Sequence, residues 1–430
     1  MFLHNSKHQL SLLSYTKLLA AHVNNARHEK ALVLFQRMHA NTFLQLDSFV
    51  YPLALKSCSA LNLPQLGISI HTHTLKSCFL ITSPFVSCAL IDMYGKCVSL
   101  NLARKLFDEI PQRNVVMWNS MISLYLSSNH VDTALQLFED IDVEPNASSF
   151  NSIIPALLKL DDGVTKALGF YRRMEQFDVK PNVITILALL PTCVGVAALN
   201  FVKEIHGYSI RNEFHSHLQL SSGLIEAYGQ CGCLKNARYV FERLPDKDVV
   251  AWSSMVSSYA LHGEAENALS IFREMELARV WPDEIAFLGV FKACAHGGLA
   301  DEALRYFARM QNEYHVEASS QHYACLVDVL GRAGRLYEAY NIIRKMPMKA
   351  TAKAWGALLA SCRSHKEVEL AEIAGNVLLE IEPNNAANYV LLASTYAGAG
   401  RFADAERVRK EMKKRGVKSL QGGSWVIRHE

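Results

Sequence analysis

Residues 220–284, "LSSGLIEAYGQCGCLKNARYVFERLPDKDVVAWSSMVSSYALHGEAENALSIFREMELARVWPDE", contain one pattern twice. Ala237 and Ala268 stand 31 residues apart, and an aromatic follows each four residues later, Phe241 and Phe272. Residues at i and i+4 share a helix face, so the small alanine permits close helix approach while the ring fills the gap beside it. Sixteen residues before Ala268 stands another aromatic, Trp252. Gly232 and His262-Gly263 fall where a turn is needed, and Pro282-Asp283 closes the segment. The stretch predicts a repeated helix pair: an aromatic-anchored first helix, a turn, and an Ala-x-x-x-aromatic second helix.

The same beat runs outward in both directions. Ala31, Ala103, Ala134, Ala237, Ala268, Ala303, Ala339, Ala371 and Ala405 are separated by 72, 31, 103, 31, 35, 36, 32 and 34 residues. Gly67 splits the first long gap into 36 and 36, and Lys166 or Ala167 followed by Val202 splits the second into steps of 32 to 35. Phe35, Phe107, Phe138 and Phe307 take the i+4 place, and Tyr15, Trp118, Phe287, Tyr323, Trp355 and Tyr389 take the place sixteen before. Further turn signals lie at Gly297-Gly298, Gly334 and Gly400, and further closings at Pro145-Asn146 and Pro181-Asn182. A pair of helices this short cannot bury its own apolar face, so neighbours must stack; an all-α, right-handed α-solenoid superhelix is expected.

Composition agrees with one large repeat array. Of 430 residues half are hydrophobic and a fifth charged, which excludes a mainly disordered chain. Lys+Arg 44 against Asp+Glu 41 is nearly balanced, so net charge gives no sign of a strongly basic nucleic-acid binder. The end is different: Arg401 to Glu430 holds nine basic and four acidic residues, either a solvated helix face or a contact surface for phosphate or an acidic partner. Ten cysteines without paired spacing point to a reducing compartment. The most apolar stretch, Ile184 to Val202, has membrane-spanning length but contains Pro191, Gly195 and Asn200 and keeps the repeat phase; it reads as a buried helix pair. Met1 to Ser11 is too short and too poor in Arg for a transit peptide, so targeting is either cryptic or missed by the start.

Two helix-pair families have repeats of this size. Tetratricopeptide repeats keep a period near 34 and bind peptides. The period here cycles through roughly 36, 31 and 35. With the segments "FVSCALIDMYGKCVSLNLARKLFDEIPQRNVVMWNSMISLY" (85–125), residues 220–284, and "HYACLVDVLGRAGRLYEAYNIIRKMP" (322–347), it resembles the plant pentatricopeptide repeat proteins that alternate standard, long and short motifs. Residues 354–418 are similar to the two C-terminal extension motifs of their E subgroup, and "GGSWVIRHE" (422–430) to the start of the motif that follows. The resemblance covers residues 12 to 430. It implies a short N-terminal segment (1–11), an array over 12–350, extension motifs over 351–419 and a tail over 420–430. Within the array the repeats fall at about 12–47, 48–83, 84–114, 115–146, 147–182, 183–217, 218–248, 249–283, 284–319 and 320–350, with extension motifs at 352–385 and 386–419.

In proteins of this kind each repeat reads one unstacked RNA base with two or three side chains. The two positions are the residue after the first-helix aromatic and the last residue of the repeat. They read Thr16 with Asp47, Cys88 with Asn114, Asn119 with Asn146, Asn151 with Asn182, Ser222 with Asp248, and Ser253 with Asp283. Small hydroxyl and amide groups donate and accept towards a base edge, whereas an apolar residue does neither. Each residue alone is equally a turn or helix-start polar group; five pairs of Ser/Thr/Asn with Asn/Asp make the stronger case. The resemblance implies that Thr or Ser with Asp favours G, and that Asn with Asn favours a pyrimidine. Pro52, Leu187 and Leu288 in the long motifs are assigned no base, and Cys88 and the Ala324/Ala350 pair depart from the pattern. The implied target is 5′-G-n-n-Y-Y-n-G-G-n-n.

No catalyst is expected. A zinc deaminase needs His-x-Glu with Pro-Cys-x-x-Cys; His262-Gly263-Glu264 supplies the first, and neither Pro-Cys nor Cys-x-x-Cys occurs. Cys231-Gly232-Cys233 is too tightly spaced for an ordinary zinc knuckle, and Cys58, Cys193, Cys294 and Cys362 share one repeat phase, as packing residues would. Gly331-Arg332-Ala333-Gly334 reads as an interhelix turn rather than a phosphate loop. No cofactor, metal or membrane partner is expected. In the extension motifs, Gly356 after Trp355 and Val390 after Tyr389 break the reading pattern, and the period near 34 looks like a protein-binding helix-pair surface. Because the resemblance ties such an extension to editing, 351–430 is the expected docking site for a deaminase or another editing protein. The reading is thus an RNA-binding factor of mitochondrion or chloroplast, the mitochondrion slightly favoured, that directs C-to-U editing. RNA stabilisation, splicing or translation, and a tetratricopeptide-like scaffold, are the competitors.

Overall fold

Helix hairpins follow the alanine beat. In one, Asp248 accepts the Ala251 N–H at 2.9 Å and starts the Val249–Leu261 helix; Gly263, at φ +74°, turns the chain; Ala265–Leu277 returns. A left-handed residue is needed at this turn, and Gly232, Gly298, Gly334 and Gly400 supply it elsewhere, with Asn62, Asn129 and Lys366 in the same role.

The computed structural model describes residues 12–41, 44–160, 162–193 and 199–417, and helix is the only regular structure among them, α-helix with two short 3-10 turns. Met1–Ser11, Gly195, the Cys193 side chain and the tail from Lys418 lie outside what is described. The chain divides into two compact bodies, Met1–Thr192 and Cys193–Glu430. Each is an all-α solenoid in which a first helix packs on its own second helix and on the first helices before and after it. Val249–Leu261, for example, lies against Leu218–Gln230 and Glu284–Gly297.

The core is made by the repeat-phased residues. Ala31, Ala103, Ala134, Ala237, Ala268, Ala303 and Ala339 have no exposed surface. The second-helix ring meets the aromatic of the next first helix edge-on: Phe107 to Trp118 at 4.8 Å, Phe138 to Phe150 at 5.1 Å, Phe241 to Trp252 at 4.8 Å. Edge-to-face pairs of this kind add to simple burial because the positive ring edge meets the negative face. One ring departs from expectation. Tyr306 rather than Phe307 is buried and stacks on Phe272 at 5.4 Å, while Phe307 stays half-buried against Tyr323 at 5.3 Å.

The apolar 184–202 stretch is not one rod. Val183–Leu189 passes into a 3-10 turn at Leu190–Cys193, and the next helix is Leu199–Arg211. No described helix is long and apolar enough to cross a membrane. Helical glycines mark where first helices touch: a Cβ on Gly229 would stand 2.6 Å from Ser258 Cβ, and one on Gly95 would meet Leu124.

The nine described cysteines are free thiols. Cys58, Cys294 and Cys362 are fully buried, and Cys97 Sγ donates to the Cys58 carbonyl at 3.6 Å. Burial pushes Cys58 and Cys88 up to about 11 and Cys294 and Cys362 up to about 12, since a thiolate there would lose its hydration.

Two measurements check this packing. Gly229→Ala forces two first helices apart and is expected to lower stability by about 2 kcal/mol in denaturant titration, with Ser258→Gly on that background recovering part of the loss; an unchanged midpoint in the single variant would refute the close contact. Maleimide at pH 8 is expected to modify exposed Cys78 first, whereas Cys58, Cys294 and Cys362 react only after denaturation, as followed by mass spectrometry.

Candidate nucleic-acid interface

The repeat-end residues are set by helix capping. Asn114, Asn146, Asn182, Asp248 and Asp283 each occupy the N-cap of the next first helix and accept one or more of its first backbone N–H groups. Asp47 does the same slightly further out, accepting from Phe49 and Val50 N–H at 3.1 and 3.3 Å. The cap fixes each side chain and leaves remaining lone pairs for a neighbour.

In three of the six candidate pairs that neighbour is the first-helix partner. Asn119 Nδ2 donates to Asn146 Oδ1 at 3.2 Å, Asn151 Nδ2 to Asn182 Oδ1 at 3.1 Å, and Ser253 Oγ to Asp283 Oδ1 at 2.9 Å. The other three are not joined. Thr16 Oγ1 donates to the Leu12 carbonyl instead, and the Cys88 thiol lies by Ser120. Ser222 Oγ is buried without a hydrogen-bond partner, while Asp248 caps.

Of the five buried side-chain atoms without a hydrogen bond among the described residues, three lie at these positions, the others being His71 Nε2 and Trp252 Nε1. Asn119 Oδ1, Asn151 Oδ1 and Ser222 Oγ are buried and make no hydrogen bond. A buried polar atom left so costs about 1–3 kcal/mol, which a ligand edge would recover. In the N-terminal body Asn119 and Asn146 line a groove of about 640 Å³ with Val116, Ser123 and the Asp92–Lys96 ion pair at 2.8 Å. In the C-terminal body Ser253 and Asp283 line one of about 350 Å³ with Ser257, Val250, Ile285 and Lys292. Ser253, only 2% exposed, lies at its floor.

One further row was not anticipated. Three residues before seven of the ten candidate reading positions stands an exposed apolar side chain, Leu13, Phe49, Phe85, Val116 and Ile184 in the first body and Val250 and Ile285 in the second, all more than half exposed; Ser148, Gln219 and Gln321 take that place before Asn151, Ser222 and Ala324. The Phe49 and Phe85 rings are 6.3 Å apart. Nothing in a helix hairpin requires these groups to face solvent, and they flank the polar atoms as walls onto which a base can stack. The i−3 spacing from the reader was the available signal.

The remaining motifs are structural in their contacts. His262 closes the Val249–Leu261 helix with a ring nitrogen 2.6 Å from the Gly229 carbonyl, and Glu264 accepts from Asn267 at 2.6 Å. Among the described residues no three His, Cys, Asp or Glu side chains converge as metal ligands. Four of the seven described basic residues at the end are paired: Arg401 with Asp404 and, on the preceding helix, Glu372, Arg407 with Asp404, Lys410 with Glu406, and Arg415 with Glu411. Its reading as a solvated helix face therefore outweighs that of a phosphate surface; Lys418 and Arg428 lie outside the described residues. In the extension, a Cβ on Gly356 would meet open space and Val390 is exposed.

Comparison with known proteins places this geometry. The family model described as PPR repeat matches residues 13–43, 86–115, 116–144, 222–249, 250–280, 285–314 and 322–349, and the one described as E motif matches 365–427. A pentatricopeptide repeat-containing protein of Arabidopsis thaliana is 56% identical over 416 residues, covering 97% of each chain. Another from that plant, described as chloroplastic, is 35% identical over 413 residues, covering 96% of this chain and 44% of its own. The crystal structure of the pentatricopeptide repeat protein PPR10 from maize matches with a TM-score of 0.43 and 16% identity, covering 96% of this chain and 75% of that one. Stacked hairpins on the alanine beat, the repeat matches and a relative alike along almost its whole length lead to one assignment: the chain belongs to the plant pentatricopeptide repeat family, in the group that carries an E motif.

Proposed function

We propose that this chain is a sequence-specific single-stranded RNA-binding factor of an organelle that directs C-to-U editing, with the deaminase supplied by another protein docked on 351–430. The observation that carries the RNA reading is the set of buried, unpartnered atoms Asn119 Oδ1 and Asn151 Oδ1, whose amides are held by the helix-capping Asn146 and Asn182, together with Ser222 Oγ. Each such pair offers one base edge a fixed donor–acceptor pattern, and the exposed apolar row offers the base a face. The sites proposed to read bases are Thr16/Asp47, Cys88/Asn114, Asn119/Asn146, Asn151/Asn182, Ser222/Asp248 and Ser253/Asp283.

The chain acts in this reading by binding rather than by catalysis. The editing part is supported by the E motif match over 365–427 and by Gly356 and Val390, which replace the polar readers with a surface suited to another protein. RNA stabilisation, splicing or translation without editing is the second reading. RNA sequencing of a null mutant separates them: one unedited cytidine with intact transcript ends supports editing, and altered ends with full editing reject it.

Base assignment is tested by gel shift with an RNA containing 5′-G-n-n-Y-Y-n-G-G-n-n. Changing both adjacent G to C is expected to weaken binding by about tenfold or more, since each mismatch leaves a buried group unsatisfied. Equal affinity for the two RNAs removes the assignment of Ser222/Asp248 and Ser253/Asp283. Asp283→Asn keeps the capping oxygen but exchanges one acceptor for a donor. It is expected to leave the melting temperature unchanged while reducing the preference for G over other bases at the eighth nucleotide by about fivefold or more.

A further inference from the structure

The last short repeat holds a groove that base reading leaves unexplained. A cavity of about 320 Å³ is lined by Leu288, Lys292, Ala324, Cys325, Asp328 and Lys353, among others. Its walls are three successive first helices: Glu284–Gly297 with Lys292, Ser320–Arg332 with Ala324 to Asp328, and Ala352–His365 with Lys353. Ala324 and Ala350, in the reading positions, have no side-chain donor or acceptor.

The charge in this cavity is unbalanced. Asp328 is engaged by Arg332, whose Nε stands 3.0 Å from both carboxylate oxygens. Lys292 and Lys353 are exposed, and neither has a carboxylate within ion-pair distance among the described residues. Two ammonium groups thus face one groove floored by alanine. The Cys325 thiol beside them is pushed up by burial, Lys292 and Lys353 pulling it down and Asp328 up, so both lysine charges and that carboxylate lie near it.

Resting on the RNA reading above, we propose that this cavity holds a backbone phosphate of the bound strand between Lys292 of the ninth repeat and Lys353 of the extension, so that the strand gains affinity across the tenth repeat without a base being read there. An ammonium is a compact charge on a flexible stem, suited to a phosphate whatever base it carries. Specificity then comes from the polar pairs of earlier repeats, and Ala324 and Ala350 cost no discrimination.

The full chain is titrated with 5′-GUUCCUGGUU-3′ flanked by uridines, at several salt concentrations. Substituting Lys292→Gln together with Lys353→Gln is expected to make the plot of log affinity against log salt shallower by about 0.7, the share of one phosphate contact on a single strand. Lys292→Arg with Lys353→Arg is expected to retain the wild-type slope, and circular dichroism verifies that all three chains are folded. Exchanging the tenth base for any other is expected to alter wild-type affinity by less than about twofold, whereas a neutral methylphosphonate at that nucleotide weakens wild type several-fold and the Gln variant hardly at all. If wild type binds the RNA and the Gln variant has the same slope, the phosphate site is wrong and the lysines serve something else, such as an acidic peptide. A wild-type chain that ignores the RNA altogether overturns the base-reading proposal and this one with it.

Discussion

The contact between a second-helix ring and the aromatic of the next first helix, edge-to-face at Phe35, Phe107, Phe138, Phe241 and Phe307 and tilted at Phe272 and Tyr340, is the constraint on which the stack depends. Phe107 on Trp118 and Phe241 on Trp252 repeat one geometry, 4.8 Å with planes at 78° and 77°. Such a pair adds about 0.5–1.5 kcal/mol beyond area burial, and no repeat buries a core alone, so most of the stability lies at these seams. The alanine four residues earlier permits the approach. Once the seam is set, successive first helices lie side by side, and Ser253, the residue after Trp252, lines a groove formed by three of them.

Capping then links packing to the candidate interface. An Asn or Asp at the repeat end satisfies the next helix's orphan N–H groups, a structural duty worth about 1 kcal/mol. The same oxygen, held still by that duty, stands within reach of the first-helix side chain 27 to 31 residues earlier in the three joined pairs. A residue already ordered by folding loses little further entropy when it meets a ligand. The cost of this arrangement is visible in the unpartnered Asn119, Asn151 and Ser222 atoms, which folding by itself gives no reason to bury.

Charge follows the same division. Second helices and the C-terminal helix carry mostly local ion pairs, such as Arg104–Asp108, Arg238–Glu242 and Arg415–Glu411, which are exposed and contribute little to stability. Arg173 differs, bridging two second helices through Glu139 at 2.7 Å while its guanidinium lies over Phe138 and Phe170. Among the described lysines only Lys96 and Lys410 stand in ion pairs, and what sets Lys292 and Lys353 apart is that they line one cavity.

The helix pairs, their turns and their phase were legible in the sequence, because i, i+4 spacing and left-handed turn residues are local properties that each repeat states again. The departure at Tyr306 and Phe307 was not, since which of two adjacent rings turns inward depends on Phe272 in the preceding hairpin. The candidate reading residues could be named from position, but their partnerships could not. Asn119 reaches Asn146, while Ser222 is left alone and Cys88 turns to Ser120. Whether two side chains about a repeat apart meet depends on the loop that ends the repeat and on how closely neighbouring helices approach, and no local period encodes either distance. Sequence alone settles a stack of hairpins with polar residues at fixed places; packing settles which of those residues touch, which atoms remain unsatisfied, and that Val250, Ile285 and Lys292 line one groove with Ser253 and Asp283.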